Sequence, residues 1–401
     1  MSRPWAIVGS TVATQAAQAG LLIYGFSALA LQLEQEFGAT RFEVMLATTC
    51  LSLASSALGP VAGRWVDKGS ARRLMLIGAA MLGLGLALVS VAQAIWQVWL
   101  AYALVLPFGN VLLGQLTSAT LITRWFAERR GRAMGISTLG TSLGGFIFPV
   151  LIATASEAMG WRGALLAIGL ITAATMALIV WLGIRDRPEE PKSEQACAAL
   201  DIDSAGGLTI AQIIAQPAFW IITVAVGVKL ATYIGLVNNL AGFAREIGVE
   251  SIAAAGMVSV LSITSMVGKL GFGTLAERFT PRALFILAIA LTIVGFALLL
   301  VAYGMMALVV ACVLLGLSTG GMLPLWNLIV AEYFGEVSFG RALGLTSLAM
   351  VPLTAFASPF AGWVFDRTGH YDGVIWGSMV SLAVSIALLT MLPPANREEK
   401  H

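Results

Sequence analysis

Charge is what this sequence has least of. Only 11% of its 401 residues are Asp, Glu, Lys or Arg, less than half the roughly 25% usual in a soluble domain. With 58% hydrophobic residues and a mean hydropathy of +0.89, an ordinary soluble domain is excluded on composition. The three cysteines, Cys50, Cys197 and Cys312, lie far apart without metal or disulfide spacing, and they read as reduced bystanders. Histidine is confined to His370 and the terminal His401. Alternation of apolar and polar residues over about ten positions, the mark of a membrane barrel strand, is missing as well.

What the chain does have is a succession of apolar runs of about 20 residues, the length that crosses a hydrocarbon core as a helix. Twelve are counted, over roughly 6–30, 44–64, 74–93, 97–123, 133–156, 162–184, 218–243, 252–274, 283–303, 306–331, 342–364 and 373–392. An all-α membrane protein of twelve transmembrane helices follows. With the N-terminus in the cytoplasm, seventeen of the 23 basic residues fall in cytoplasmic segments. Only Arg41, Arg162, Arg245 and Arg367 fall opposite. That bias puts both termini in the cytoplasm of a cell's inner membrane. The first run is too long for a cleaved signal. The net charge of +2 is then a topology signal with no bearing on nucleic acid.

The chain also repeats itself about 210 residues apart. Gly63, Asp67 and Arg72 return as Gly273, Glu277 and Arg282. Trp125-Phe126 returns as Tyr333-Phe334, and Arg132-Ala133-Met134-Gly135 as Arg341-Ala342-Leu343-Gly344. Three marks in one register imply two six-helix pseudo-repeats: an N-terminal bundle 1–184, a polar cytoplasmic linker 185–212 and a C-terminal bundle 213–401. Such duplication points to a two-halved transporter whose site lies where the halves meet. A short surface helix is expected before Pro217.

The loop marks carry a resemblance. Gly63, Asp67, Lys68 and Arg72 resemble the loop signature of the major facilitator superfamily, with Trp65 for the usual Leu and Gly69 one place early. Gly63 and Gly273 would let a neighbour approach. Asp67 or Glu277, one turn on, would face a helix N-terminus or an Arg, so that Gly63, Asp67, Arg72, Gly273, Glu277 and Arg282 form a conformational latch. The segment Arg124-Trp125-Phe126-Ala127-Glu128-Arg129-Arg130-Gly131-Arg132-Ala133-Met134-Gly135 resembles the signature of the monocarboxylate transporter branch and its oxalate/formate antiporter relatives. The resemblance implies a twelve-helix porter of small organic anions, often proton-coupled.

Two charges lie inside the membrane, Lys229 and Lys269, each at an insertion cost of at least ~2.5–3.5 kcal/mol at mid-bilayer. No Asp or Glu stands in the central part of any run, so an anionic substrate would complete the site. Lys269 occupies the place where the resembling branch carries a helix-8 Arg for the substrate carboxylate; Ser265 stands where its proton-coupled animal members have an Asp. Tyr233, one turn after Lys229, shares its face. Asn110, Gln115, Asn239, Trp326 and Asn327 are further substrate-binding candidates, with interhelical hydrogen bonding as the alternative. Gly140-x-x-x-Gly144 and Gly316-x-x-x-Gly320 read as close-packing faces. Pro107, Pro149, Pro324, Pro352 and Pro359 are expected to kink their helices.

Enzyme readings fail on context. Gly140-Thr141-Ser142-Leu143-Gly144 matches a nucleophile pattern that needs a strand, a turn and a nearby His, and here it lies in a membrane run. Gly268-Lys269 lacks the first glycine of a phosphate loop. No catalytic residue, cofactor or metal is expected. The reading is a gradient-driven, monomeric secondary transporter of a small anion, the proton and the lipid bilayer being its other partners. An exporter or exchanger of other metabolites or drug-like compounds, or a non-transporting sensor on the same fold, are the alternatives.

Overall fold

The computed structural model describes residues 3–126, 130–185, 208–301 and 305–392. Among them eleven helical stretches are long and apolar enough to cross a membrane. One of these, Gly131–Gly183, has 53 residues, about 80 Å of helix against a hydrocarbon core of about 30 Å. It breaks at Gly160, where φ is 74°, a left-handed conformation that strains any residue with a Cβ. Two crossings therefore meet there, and the total is twelve.

The crossings are α1 Pro4–Phe37, α2 Arg41–Val66, α3 Ala71–Ser90, α4 Ile95–Trp125, α5 131–159 and α6 161–183 in the first half. The second half holds α7 Pro217–Glu246, α8 Ser251–Leu275, α9 Pro281–Leu300, α10 Met305–Gly335, α11 Val337–Thr368 and α12 Asp372–Thr390. Some, such as α1, α4, α7 and α11, outrun the apolar runs by several residues because polar end turns continue the helices past the hydrocarbon, while α3, α6, α9 and α12 match theirs in length to within a residue. The starts are chemically marked. Thr40 and Glu43 form a reciprocal capping box before α2, and the Ser70 hydroxyl accepts the Arg73 N–H at 3.1 Å before α3. The expected short helix before Pro217 is Ile210–Ala215, capped by Thr209 and Gln212. Pro107, Pro324 and Pro359 sit in first turns of helical segments, where no hydrogen bond is lost; Pro149 and Pro352 are interior.

Each half has its own buried cluster. Gly140 and Gly144 bring α5 against the backbone of Val12 and Ala16 in α1. Gly316 and Gly320 do the same for α10 against Leu261 and Ser265 in α8. Both small-residue faces pack as their spacing implies.

The duplication is visible in hydrogen bonds. The Arg72 guanidinium donates to the Trp181 carbonyl at the end of α6, at 2.6 Å. The Arg282 guanidinium donates to the Leu392 and Thr390 carbonyls at the end of α12, at 2.7 and 2.5 Å. In each half the repeated arginine at the start of one helix caps the last helix of the same half, where carbonyls lack partners and the helix dipole favours a cation.

Candidate functional site between the two halves

α1 starts at one face of the bundle, the near face, and α2 starts at Arg41 on the other, the far face. Arg41 is the hub of the far-face seam. Its backbone N–H and that of Phe42 donate to the Asp366 carboxylate of α11, at 3.1 and 2.9 Å. Its guanidinium donates to the Tyr371 hydroxyl at 2.6 Å, lies 3.4 Å from the Phe365 ring centroid and pairs with Glu34 at 3.4 Å. Burial pushes the Tyr371 phenol above its ordinary value, with Arg41 pulling the other way. Gly362 lets α11 lie directly on the Arg41 backbone. Deeper in, Thr49 donates to the Ala355 carbonyl at 2.6 Å, Ser27 accepts the Ala241 N–H at 3.1 Å, and the Tyr24 and Tyr233 hydroxyls meet at 2.9 Å. Tyr24 ends a π-helical turn, Gly20–Tyr24, a local irregularity common at working sites.

Toward the near face the cross-half contacts pass to α5 and α8. Ser259 donates to the Phe146 carbonyl at 2.7 Å. Lys269 of α8 spends all three of its N–H groups on α5: the Thr138 carbonyl at 2.9 Å, Thr141 Oγ1 at 2.8 Å and Ser142 Oγ at 3.0 Å. All three partners are neutral. The serine of the apparent nucleophile motif is thus a ligand of a lysine from the other half. Between the tyrosines and Lys269 stands Ser262, fully buried, whose hydroxyl has no partner among the described residues; the same is true of the Trp326 indole N–H. Buried polar groups without partners are rare in native structures.

The other candidates divide. Lys229 does not face the seam. It is 1% exposed inside the second half, donating to Thr292 of α9 and to Ser318 of α10, the latter at 3.1 Å. Asn239 belongs to the far seam: it accepts the Tyr371 hydroxyl at 3.1 Å and donates to the Gly235 carbonyl at 2.9 Å. Asn110 joins Gln18 of α1 to Ser55 of α2 within the first half. Gln115 and Asn327 are exposed. Gly63 and Gly273 bring nothing close, since a Cβ at either would meet no atom within 4 Å. Arg72 and Arg282 act within their own halves, Glu277 is exposed, and the Asp67 side chain lies outside the described residues. So do Ala127–Arg129, Cys197 and 186–207 of the linker.

Sequence reading missed Arg41, Asp366 and Tyr371, because loop charges between apolar runs are read as topology. It missed Thr138, Thr141 and Ser142 because hydroxyls are common in membrane helices. The pair Gln15 and Gln18 in the first apolar run was a usable signal: amides that deep need partners, and they find Ser137 and Asn110.

Two halves that seal around a buried polar seam invite comparison with known proteins. Residues 12–351 match the profile of the Major Facilitator Superfamily. The chain belongs to that superfamily. Among curated relatives of this major facilitator protein, monocarboxylate transporter 13 of Rattus norvegicus is 29% identical over 339 residues, 83% of this chain and 76% of the relative. Monocarboxylate transporter 4 of Gallus gallus is 24% identical over 370 residues, covering 90% and 76%. A bacterial homologue of the human lysosomal transporter Spinster, solved inward-facing and occupied, superposes with a TM-score of 0.73 over 97% of this chain and 95% of its own, at 16% identity. That likeness concerns the fold.

Proposed function

We propose that this major facilitator protein is a secondary transporter of a small monocarboxylate-like anion, with Lys269 as the cation that receives the carboxylate. The observation that carries this reading is the seam bond itself: a membrane-embedded ammonium held between the halves by neutral oxygens alone. A carboxylate entering from the near face would displace them, since a charge-assisted hydrogen bond is roughly twice as strong as a neutral one. The freed Thr141 and Ser142 hydroxyls could then turn their own O–H groups on the anion. Ligand binding would thereby exchange a direct α5–α8 tie for one that runs through the substrate, which is a differential contact of the kind a state change requires. Named monocarboxylate transporters among the relatives support the substrate class.

In this reading the near face is cytoplasmic, by the positive-inside bias, and 1–184 and 213–401 rock about the seam. Proton coupling is proposed from the resemblance. Lys229 enters as a second cation held inside one half, and an anion in the seam reaches it only if α9 and α10 rearrange. The test is uptake of labelled lactate, pyruvate, oxalate and formate into proteoliposomes, with and without an inward proton gradient. Uptake that Lys269→Gln abolishes is the expected result. Equal uptake in that variant, or no uptake of any acid by folded protein, would overturn the assignment.

A further inference from the structure

One cavity among the described residues lies behind the far-face seam, on the side of Asn239 and Tyr371 away from the first half. It has a volume of about 530 Å³ and lies in the far half of the second bundle, walled by α7, α11 and α12. Its mouth is rimmed by Leu353, Phe356 and Phe360, which are 42%, 52% and 60% exposed, and its floor is Asn239 and Tyr371, both 4% exposed. Leu353, Phe356 and Phe360 recur at helical spacing on the one exposed, apolar face of α11, opposite the face that meets α2, so the opening is lateral.

Apart from the lone Ser378 hydroxyl, a polar solute has nothing to hold there. Asn239 and Tyr371 are already bonded to each other, to a backbone carbonyl and to Arg41. The Thr232 and Ser381 hydroxyls in the walls donate to carbonyls of their own helices, at 3.0 and 2.7 Å. Small-molecule sites ordinarily present a few convergent free polar groups, and this cavity presents apolar walls. Water gains nothing in such a space, and a void forfeits the dispersion contacts of its lining. With α11 crossing a bilayer, an exposed apolar face midway along it would meet hydrocarbon.

We propose that one acyl chain of a lipid in the far leaflet threads this crevice as a bound ligand, lying against Tyr371, which holds Arg41, and its partner Asn239. The inference does not depend on the transported substrate. It is tested in liposomes containing the full chain and a phosphatidylcholine with a diazirine near the end of one acyl chain, with crosslinked positions mapped by mass spectrometry. Labelling is expected to concentrate on Phe356, Phe360 and Ser378, well above that of Leu170 and Ile171, which are 53% and 66% exposed on the other half. Gly377→Phe should abolish the crevice labelling and spare Ile171, because a side chain at Gly377 projects into open space; Ser381→Phe is the second variant. Labelling no stronger in the crevice than at Leu170 and Ile171 would overturn the proposal. So would crevice labelling that both filled variants retain, or labelling seen with a free apolar diazirine and not with the tethered chain.

Discussion

The Asp366 carboxylate, at the end of α11, accepts the first free N–H groups of α2 at Arg41 and Phe42. An acidic side chain from one half therefore serves as a helix cap for the other. Capping and dipole interactions of this kind contribute about 0.5–2 kcal/mol, and this contribution exists only while the far face is closed. Asp366→Ala should shift the population toward far-face opening, by about two- to thirtyfold on that energy. Spin labels at Gln93 and Arg367 would report it as a longer distance. An unchanged distance distribution would mean that the seal does not rest on this carboxylate.

Tyr371 sets a pH expectation. Its phenol is held above the ordinary tyrosine value of 10.0 by burial, so the native state binds the proton more tightly than the unfolded chain does. The contribution to stability is flat below pH 10 and falls as pH rises above it. A melting temperature measured from pH 8 to pH 11 should drop at the alkaline end, and Tyr371→Phe should remove part of that drop. At neutral pH the same variant loses the bonds to Arg41 and Asn239.

At Lys269 the test is chemical rather than structural. Lys269→Gln keeps much of the stem and some donors but removes the charge. Loss of one charge-assisted hydrogen bond, about 1.5–3 kcal/mol, corresponds to about ten- to 150-fold weaker anion binding. Lys269→Arg should keep most binding and change the order of preferred acids, because a guanidinium offers a planar fork. Competition of unlabelled acids against labelled uptake measures both.

Glycine substitutions should separate the two kinds of repeated glycine. A Cβ at Gly144 or Gly316 would press into the backbone of Ala16 or Leu261, whereas one at Gly63 or Gly273 meets nothing. Gly144→Ala and Gly316→Ala are expected to destabilise by at least about 1–3 kcal/mol. Gly63→Ala and Gly273→Ala should differ from wild type by no more than the usual helix preference for alanine. Thermal denaturation in detergent distinguishes the pairs.

The membrane class, the twelve crossings and the duplication were legible because each is written as a length, a composition or a register. Lys269 was legible too, since a charge in a membrane run needs a reason wherever it points. Its partners were not, because a hydroxyl on another helix carries no mark in sequence. Lys229 shows the limit from the other side. Depth in the apolar run is a one-dimensional fact, and it could not tell the seam from the interior of the second bundle, where Thr292 and Ser318 receive the ammonium. Gly63 and Gly273 were conspicuous by repetition, yet their surroundings are empty in this state.

The arginine caps have a consequence for construction. Arg72 fastens the third crossing to the sixth, and Arg282 fastens the ninth to the twelfth, so each half is laced shut without help from its twin. Severing the polypeptide between residues 185 and 208 would leave both lacings whole, and the two pieces, made as separate chains, should find each other in the bilayer and work.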